Sequence, residues 1–333
     1  MSSAVNSSIA EPGHVPRVSV GLPVFNGESD LPGAIDALLA QTFSDFEIVI
    51  SDNGSTDRTP EICRAYAARD PRIRYERQPK NMGLYWNCNR VAEMARGEFF
   101  KWSCADVLHA PEFLERCVSV LDADATVVCC HTRSDYIDPQ GRRLYGVDPA
   151  GDGRLGTSPV VHRRFADVLF THGWGARSFA VMRLDALRKT GLLEYHYGWD
   201  KVMMAGLALQ GRYHIVDETL CFEQDHPTIQ AGRDGRAGGH AASALPSTHD
   251  REGNGFHRFA FVRGYLRMAW GLSPDVYTSI RCTGWVLLYP FQIRKWGRLT
   301  CAAVGRSRLW AGLRRLVPLG AGRGARRQAR KVV

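Results

Sequence analysis

The sequence lacks a C-x-x-C pair, a G-x-G-x-x-G turn, a P-loop and any apolar run long enough to cross a bilayer. Each absence excludes a class. Nine cysteines without paired spacing, odd in number and mostly set in apolar segments, are expected as reduced thiols of a cytoplasmic protein, not as a disulfide framework or zinc site. The turn after the first predicted strand reads PVFNGESD, so no glycine-rich helix start cradles a dinucleotide or triphosphate there. The apolar stretch CTGWVLLYPFQI has twelve residues and contains Pro290, against about 20 needed to span. Residues 1–15 offer neither the basic start nor the apolar core of a secretory signal and are expected as a disordered tail.

Acid is nearly missing from one region. Residues 251–333 hold 17 Lys/Arg against 2 Asp/Glu, a balance of +15. The whole chain carries +9, which leaves −6 for residues 1–250. The basic character therefore belongs to the C-terminal quarter and needs its own explanation. Otherwise 44% hydrophobic and 23% charged residues are ordinary for a globular chain. A length of 333 allows one large domain with an appendage.

Strand-like and helix-like runs alternate through the first half. RVSVGLPVFN is a β-rich run ending in a turn, and GAIDALLAQTF follows at helical spacing. FEIVISDNGS repeats the pattern, then TPEICRAYAARD, with Thr59 as expected N-cap and Pro60 at the first helical position. IRYERQ, GLYWNCNRVAEMA, GEFFKWSC, PEFLERCVSVLD and TVVCCHT continue the series. This predicts an α/β protein with a mostly parallel central sheet flanked by helices, and a ligand rim at the carboxyl ends of the strands. Residues 135–165 are polar and glycine-rich and are expected as turns and a loop. A helix from about Asp200 to Leu209 and a strand after Gly211 close the domain.

Three segments carry a resemblance: VSVGLPVFNGESDLPGAIDALLAQTFSDFEIVISDNGSTDRTPEIC, NMGLYWNCNRVAEMARGEFFKW and PEFLERCV. They resemble the family 2 glycosyltransferases of GT-A fold, over roughly residues 16–228. The resemblance implies an inverting, hexosyltransferase-like enzyme that moves a sugar from a nucleotide-diphosphate-sugar donor to a hydroxyl acceptor, a glycan or glycolipid precursor. Pro23, Phe25 and Asn26 would lie on the loop around the base, Asp52 and Asn53 at base or ribose, and Asn81, Gly83 and Asn87 on a further donor-side loop. Asp57 and Thr56 read equally well as turn and capping residues. Trp86 reads as core.

The family usually places two acids together near the diphosphate, where a divalent cation offsets the charge of the leaving group. Here Asp106 matches the first acid and Val107 stands at the second. A weakly bound Mn²⁺ or Mg²⁺ is the expected cofactor, with Asp106 and His226 as metal candidates and Cys104 and His109 close in sequence. Asp200 matches the general base, a role compatible with capping the helix it starts. Val107, and the absence of an arginine in FEQD before His226, leave open a sugar-nucleotide-binding protein with a degraded metal site.

Residues 229–256 read as a flexible linker and 257–333 as a basic helical region. In HRFAFVRGYLRMAW, Phe259, Val262, Leu266 and Ala269 alternate with Arg258, Arg263 and Arg267 as an amphipathic basic helix. Arginines interleaved with Trp270, Trp285, Trp296 and Trp310 suit the anionic inner face of a membrane, or a helical appendage packed on the main domain. No recognition motif accompanies the charge, so a nucleic-acid partner is not expected.

Overall fold

The four strand-like runs become β1 (Val18–Val24), β2 (Phe46–Asp52), β3 (Ile73–Arg77) and β4 (Phe99–Trp102). The helices α1 (Leu31–Leu39), α2 (Thr59–Arg69) and α3 (Leu84–Met94) connect them. The structure is a computed structural model that describes residues 14–138, 140–147, 156–170, 179–194, 199–224 and 257–289. β1 pairs in parallel with β2 and β4, and β2 with β3. Parallel neighbours need a crossover, which the helices supply. Every residue of β2 is buried, as befits a strand covered on both faces. On one face Leu31, Ile35 and Leu38 of α1 pack against Val20, Leu22, Ile48 and Ile50. On the other, a Cβ at Gly21 would stand 2.7 Å from the Phe100 ring and from Val91 of α3, so only glycine lets that helix come so close.

The second half runs β5 (Val107–His109), α4 (Phe113–Ala123), β6 (Val127–Ile137), β7 (Arg143–Val147), α5 (Val161–Phe170), β8 (Val181–Arg183), α6 (Leu184–Lys189), α7 (Trp199–Gln210) and β9 (Arg212–Gln224). Two helices follow, α8 (His257–Gly271) and α9 (Val276–Leu288). The sheet order is β3-β2-β1-β4-β8-β6-β9-β5, with β7 on β6. β6 keeps the direction of the first strands, but it does not adjoin β4. The three-residue β8 lies between them, antiparallel to both. β9 is parallel to β6, and β5 closes the edge antiparallel to β9. The result is the mostly parallel, helix-flanked sheet expected from the sequence.

The described parts of 135–165 hold more order than their composition predicts. β6 turns back near Asp138, whose carboxylate accepts the backbone N–H groups of Gln140 and Arg142 at 3.0 and 2.9 Å. Tyr136 and Tyr145 then face each other across the hairpin at 4.7 Å. α5 buries Phe165, Val168 and Leu169. Its period is masked in the sequence by Arg164, which is buried yet donates to the carbonyls of Ala208, Ser158 and Pro159.

Two compact units are formed, residues 1–286 and 287–333. Within the first, α8 packs on α7 through Tyr265, Met268 and Ala269, with Tyr265 edge-on to Phe165. The packed face is thus offset from the stripe read in the sequence, and Val262 and Leu266 are only half-buried. The expected linker 229–256 lies outside the described residues.

Candidate active site

The loops after β1, β2 and β3 are stitched into one mesh. Asn26 takes a left-handed conformation, φ 51°, which asparagine tolerates better than most residues. Its Oδ1 accepts the Thr56 N–H at 2.9 Å while its own N–H donates to Ser55 Oγ at 2.9 Å. Gly27 N–H donates to Thr59 Oγ1 and Glu28 N–H to Asp57 Oδ2. This corrects the expected cap: Thr59 is the first residue of α2, and its hydroxyl is used by the neighbouring loop. Asp57 is a turn residue that accepts the Thr59 N–H as well. Burial opposes its ionisation, but the bonds from Thr59 and Glu28 hold the carboxyl below its usual range.

Asp52 ends β2, as its sequence position predicts, but it is fully buried instead of standing open on the rim. Its Oδ1 accepts the Ser55 N–H at 2.8 Å, and its Oδ2 accepts the Tyr75 hydroxyl at 3.0 Å and faces Arg77 Nε at 3.4 Å. Burial, then the bond to Asp52, pushes the Tyr75 hydroxyl well above its ordinary pKa. Asn53 is bound on both ends of its amide. Nδ2 donates to Asn81 Oδ1 and the Gly83 carbonyl, and Oδ1 accepts the Met82 N–H. Buried Asn87 donates to the carbonyls of Ser51 at 2.9 Å and Val24 at 3.4 Å, tying α3 to the ends of β1 and β2. Pro23 pairs with Ser51 at the end of β1, and half-buried Phe25 begins the loop. Gly54 has φ +75°, and a Cβ there would meet the Lys80 backbone at 2.7 Å. The mesh therefore contains Asn26, Asp52, Asn53, Asn81, Gly83 and Asn87, with Pro23 and Phe25 at its border.

The Asp106 loop is the next along the same edge. It leaves β4 through Ser103, whose N–H donates to the Gly21 carbonyl at 2.8 Å. Half-buried Asp106 has its carbonyl held by the Gln224 N–H at 3.0 Å. Val107 is no vacant ligand position. It is the first residue of β5, buried in the main core and paired across the ladder with Glu223. His109 also faces inward, edge-on to Phe113 at 4.7 Å, and burial and then nearby Lys101 keep its imidazole far from protonation.

Lys101 is the residue that sequence reading missed. It is fully buried, and its Nζ donates to the carbonyls of Trp102 at 3.0 Å and Phe179 at 2.8 Å. Burial pushes its pKa down to about 8, against the field of Cys221, Cys117, Cys104 and Glu223. The ammonium joins the root of the Asp106 loop to the segment that enters β8. The available signal was a lone lysine inside the apolar run FFKW.

Asp200 lies in the first turn of α7, half-buried, on an element separate from the mesh. His226 lies outside the described residues. Of the two metal candidates only Asp106 is therefore described, and among the described residues no group of three His, Cys, Asp or Glu is placed to hold an ion. One carboxylate could hold an ion only together with donor phosphates and water, as magnesium sites commonly do. An open groove of about 550 Å³ involves Arg183, Asp185, Lys189, Gln210 and Pro274, but it shares no residue with the mesh or with the Asp106 loop.

A parallel sheet with polar loops and carboxylates at its carboxyl edge, extended by mixed strands on the far side, defines a GT-A-like transferase fold. Residues 19–188 match the model of "Glycosyl transferase family 2", and the chain belongs to that family. Chondroitin synthase of Escherichia coli is 32% identical over 130 residues, which are 39% of this chain and 19% of that protein. The chain thus spans less than a fifth of that relative's length. Among solved structures, TarS of S. aureus (residues 1–349) aligns with TM-score 0.58 at 16% identity, over 84% of this chain and 73% of that one. TarS has also been solved with UDP-GlcNAc. A mannosyltransferase of Pyrobaculum calidifontis, in complex with GDP-Man and Mn²⁺, aligns with TM-score 0.50 at 19% identity, over 90% and 89% of the two chains. These two likenesses bear on the fold alone.

Proposed function

We propose that this enzyme transfers a sugar from a nucleotide-diphosphate-sugar to a hydroxyl of a glycan or glycolipid precursor, with inversion, in polysaccharide biosynthesis. The observation that carries the reading is the mesh at the ends of β1, β2 and β3, continued by the Asp106 loop. It puts rigid polar backbone and amides where an open α/β sheet receives a nucleotide. Pro23, Phe25 and Asn26 border the base, and Asn53, Asn81, Gly83 and Asn87 fix the wall beside it. Asp52 serves from behind. A direct contact of its carboxylate with base or ribose requires Arg77, 3.4 Å from Oδ2 and bonded to the Ser55 carbonyl at 2.8 Å, to move aside. Asp106 faces the diphosphate.

Asp200 takes the proton of the acceptor hydroxyl as it attacks the anomeric carbon opposite the departing nucleotide. When bound, a divalent cation would offset charge on the diphosphate, with Asp106 and His226 as the residues to hold it. The steps assigned to this chain's residues do not pass through the cation. The acceptor is lipid-linked in the reading favoured by the basic C-terminal quarter, and the thiol pattern favours a cytoplasmic site of action.

The test is a panel of UDP-, dTDP- and GDP-sugars, each with and without Mn²⁺, read first by thermal shift and then by nucleotide release. One donor should raise the melting temperature and be turned over. Stabilisation by a donor without any turnover, across acceptors and metals, would sink the catalytic part of the proposal and leave binding standing.

A further inference from the structure

We infer that α9 is a docking surface for an anionic lipid membrane, a property independent of the sugar transfer. The helix is amphipathic in the inverted sense. It turns Thr278, Ser279, Cys282 and Val286 inward and leaves Val276, Tyr277 and Ile280 outward, at 66%, 66% and 58% exposure. Trp270, at the end of α8, is 57% exposed and its indole N–H is tied to Thr283 Oγ1 at 3.1 Å. Of eleven large apolar side chains left exposed among the described residues, four fall within the eleven residues 270–280, so the clustering is not the ordinary scatter of surface apolar groups.

The charge decides which partner fits. From Val276 to Val333 the sequence has 13 Lys/Arg and no Asp or Glu. Arg281 stands exposed on the outward face itself. A second copy of the chain would bring the same basic segment and no excess of acid, the nearest carboxylate, Asp275, being tied to Thr278 at the start of the helix. Anionic headgroups supply the missing charge, and the acyl boundary takes the apolar side chains. The 13-residue helix is about 20 Å long, short of the roughly 30 Å hydrocarbon core. Among the described residues no helix is long and apolar enough to cross, so the helix lies in the interface plane.

The experiment uses the full chain with vesicles of phosphatidylcholine alone and of phosphatidylcholine with phosphatidylglycerol, read by co-sedimentation at low and high salt. The protein should bind the anionic vesicles, weakly at high salt, and leave the neutral ones in the supernatant. Y277E and I280E should cut partitioning about ten-fold or more, with R281E and the milder I280S in between. The melting temperatures of I280E and I280S in water should equal or exceed that of the parent, because the exposed Ile280 gives up no packing there, whereas Y277E also loses the edge-on contact of Tyr277 with His162. Failure to bind anionic vesicles, or binding unchanged in I280E, overturns the inference. So does a fall in melting temperature in both I280E and I280S, which would mean that another part of the chain covers the face. A dimer dispersed by I280E would assign the face to a second copy instead.

Discussion

Replacing Val107 with aspartate restores on paper the acid pair that the sequence lacks, but the position of Val107 in the core predicts a destabilised protein instead. The residue is 4% exposed, in the core, with Glu223 directly across the ladder. V107D gives up about 2 kcal/mol of apolar burial. It also places a carboxyl where ionisation is opposed by desolvation and by a cross-strand carboxylate about 5 Å away at Cβ. A folded pKa raised by about 3 adds about 4 kcal/mol at neutral pH. The sum, about 6 kcal/mol, is comparable with the whole stability of a domain. A fall in melting temperature of about 12–24 °C follows for a domain of this size. The sign with pH is fixed by the raised pKa. The ionisation part of the cost is absent below the unfolded value near 4 and grows as pH rises through the folded value, so the deficit should be smaller at pH 5 than at pH 7.5. Melting of parent and V107D at both pH values, with Mn²⁺-dependent nucleotide release alongside, measures this. A V107D protein that melts within about 2 °C of the parent and gains Mn²⁺-dependent turnover would refute the burial argument and put position 107 in the cleft.

D200N should lower kcat by about 10²–10⁴ and leave the donor-induced thermal shift intact; full turnover in D200N would move the base elsewhere. For Lys101, the folded pKa near 8 lies below the unfolded value, so the parent should gain about 2 kcal/mol of stability against urea between pH 8 and pH 10. K101M should lack that rise, and parallel pH profiles for the two proteins would mean the lysine is not buried. G54A should cost about 1–3 kcal/mol and weaken donor binding, since Gly54 has both a left-handed φ and the Lys80 backbone against it. G83A, with φ +96° but open space around it, should cost less, which a denaturant titration of the pair can rank.

The first four strands and three helices were legible because each buried run is bounded by a turn and each helix has a clear apolar stripe. Asp52 was legible as a strand-end carboxylate, but its burial was not. The side chains that cover it, Tyr75 and Arg77, come from a strand twenty-odd residues away. Val107 could not be read from the loop motif because its environment is set by β9, more than a hundred residues later. α5 escaped because a buried arginine satisfied by backbone carbonyls looks polar in a one-dimensional pattern. The inverted face of α9 was hidden for a related reason, since only packing tells which side of a helix is inside.

β8 has a consequence for how the chain must be made. Three residues near position 182 occupy the middle of the sheet, between strands completed 80 and 45 residues earlier. Until they emerge from the ribosome, β4 has a raw edge and the nascent donor half cannot seal. A fragment ending after β7 should therefore be a sticky, aggregation-prone species, and adding back a piece that begins before β8 should rescue it by complementation.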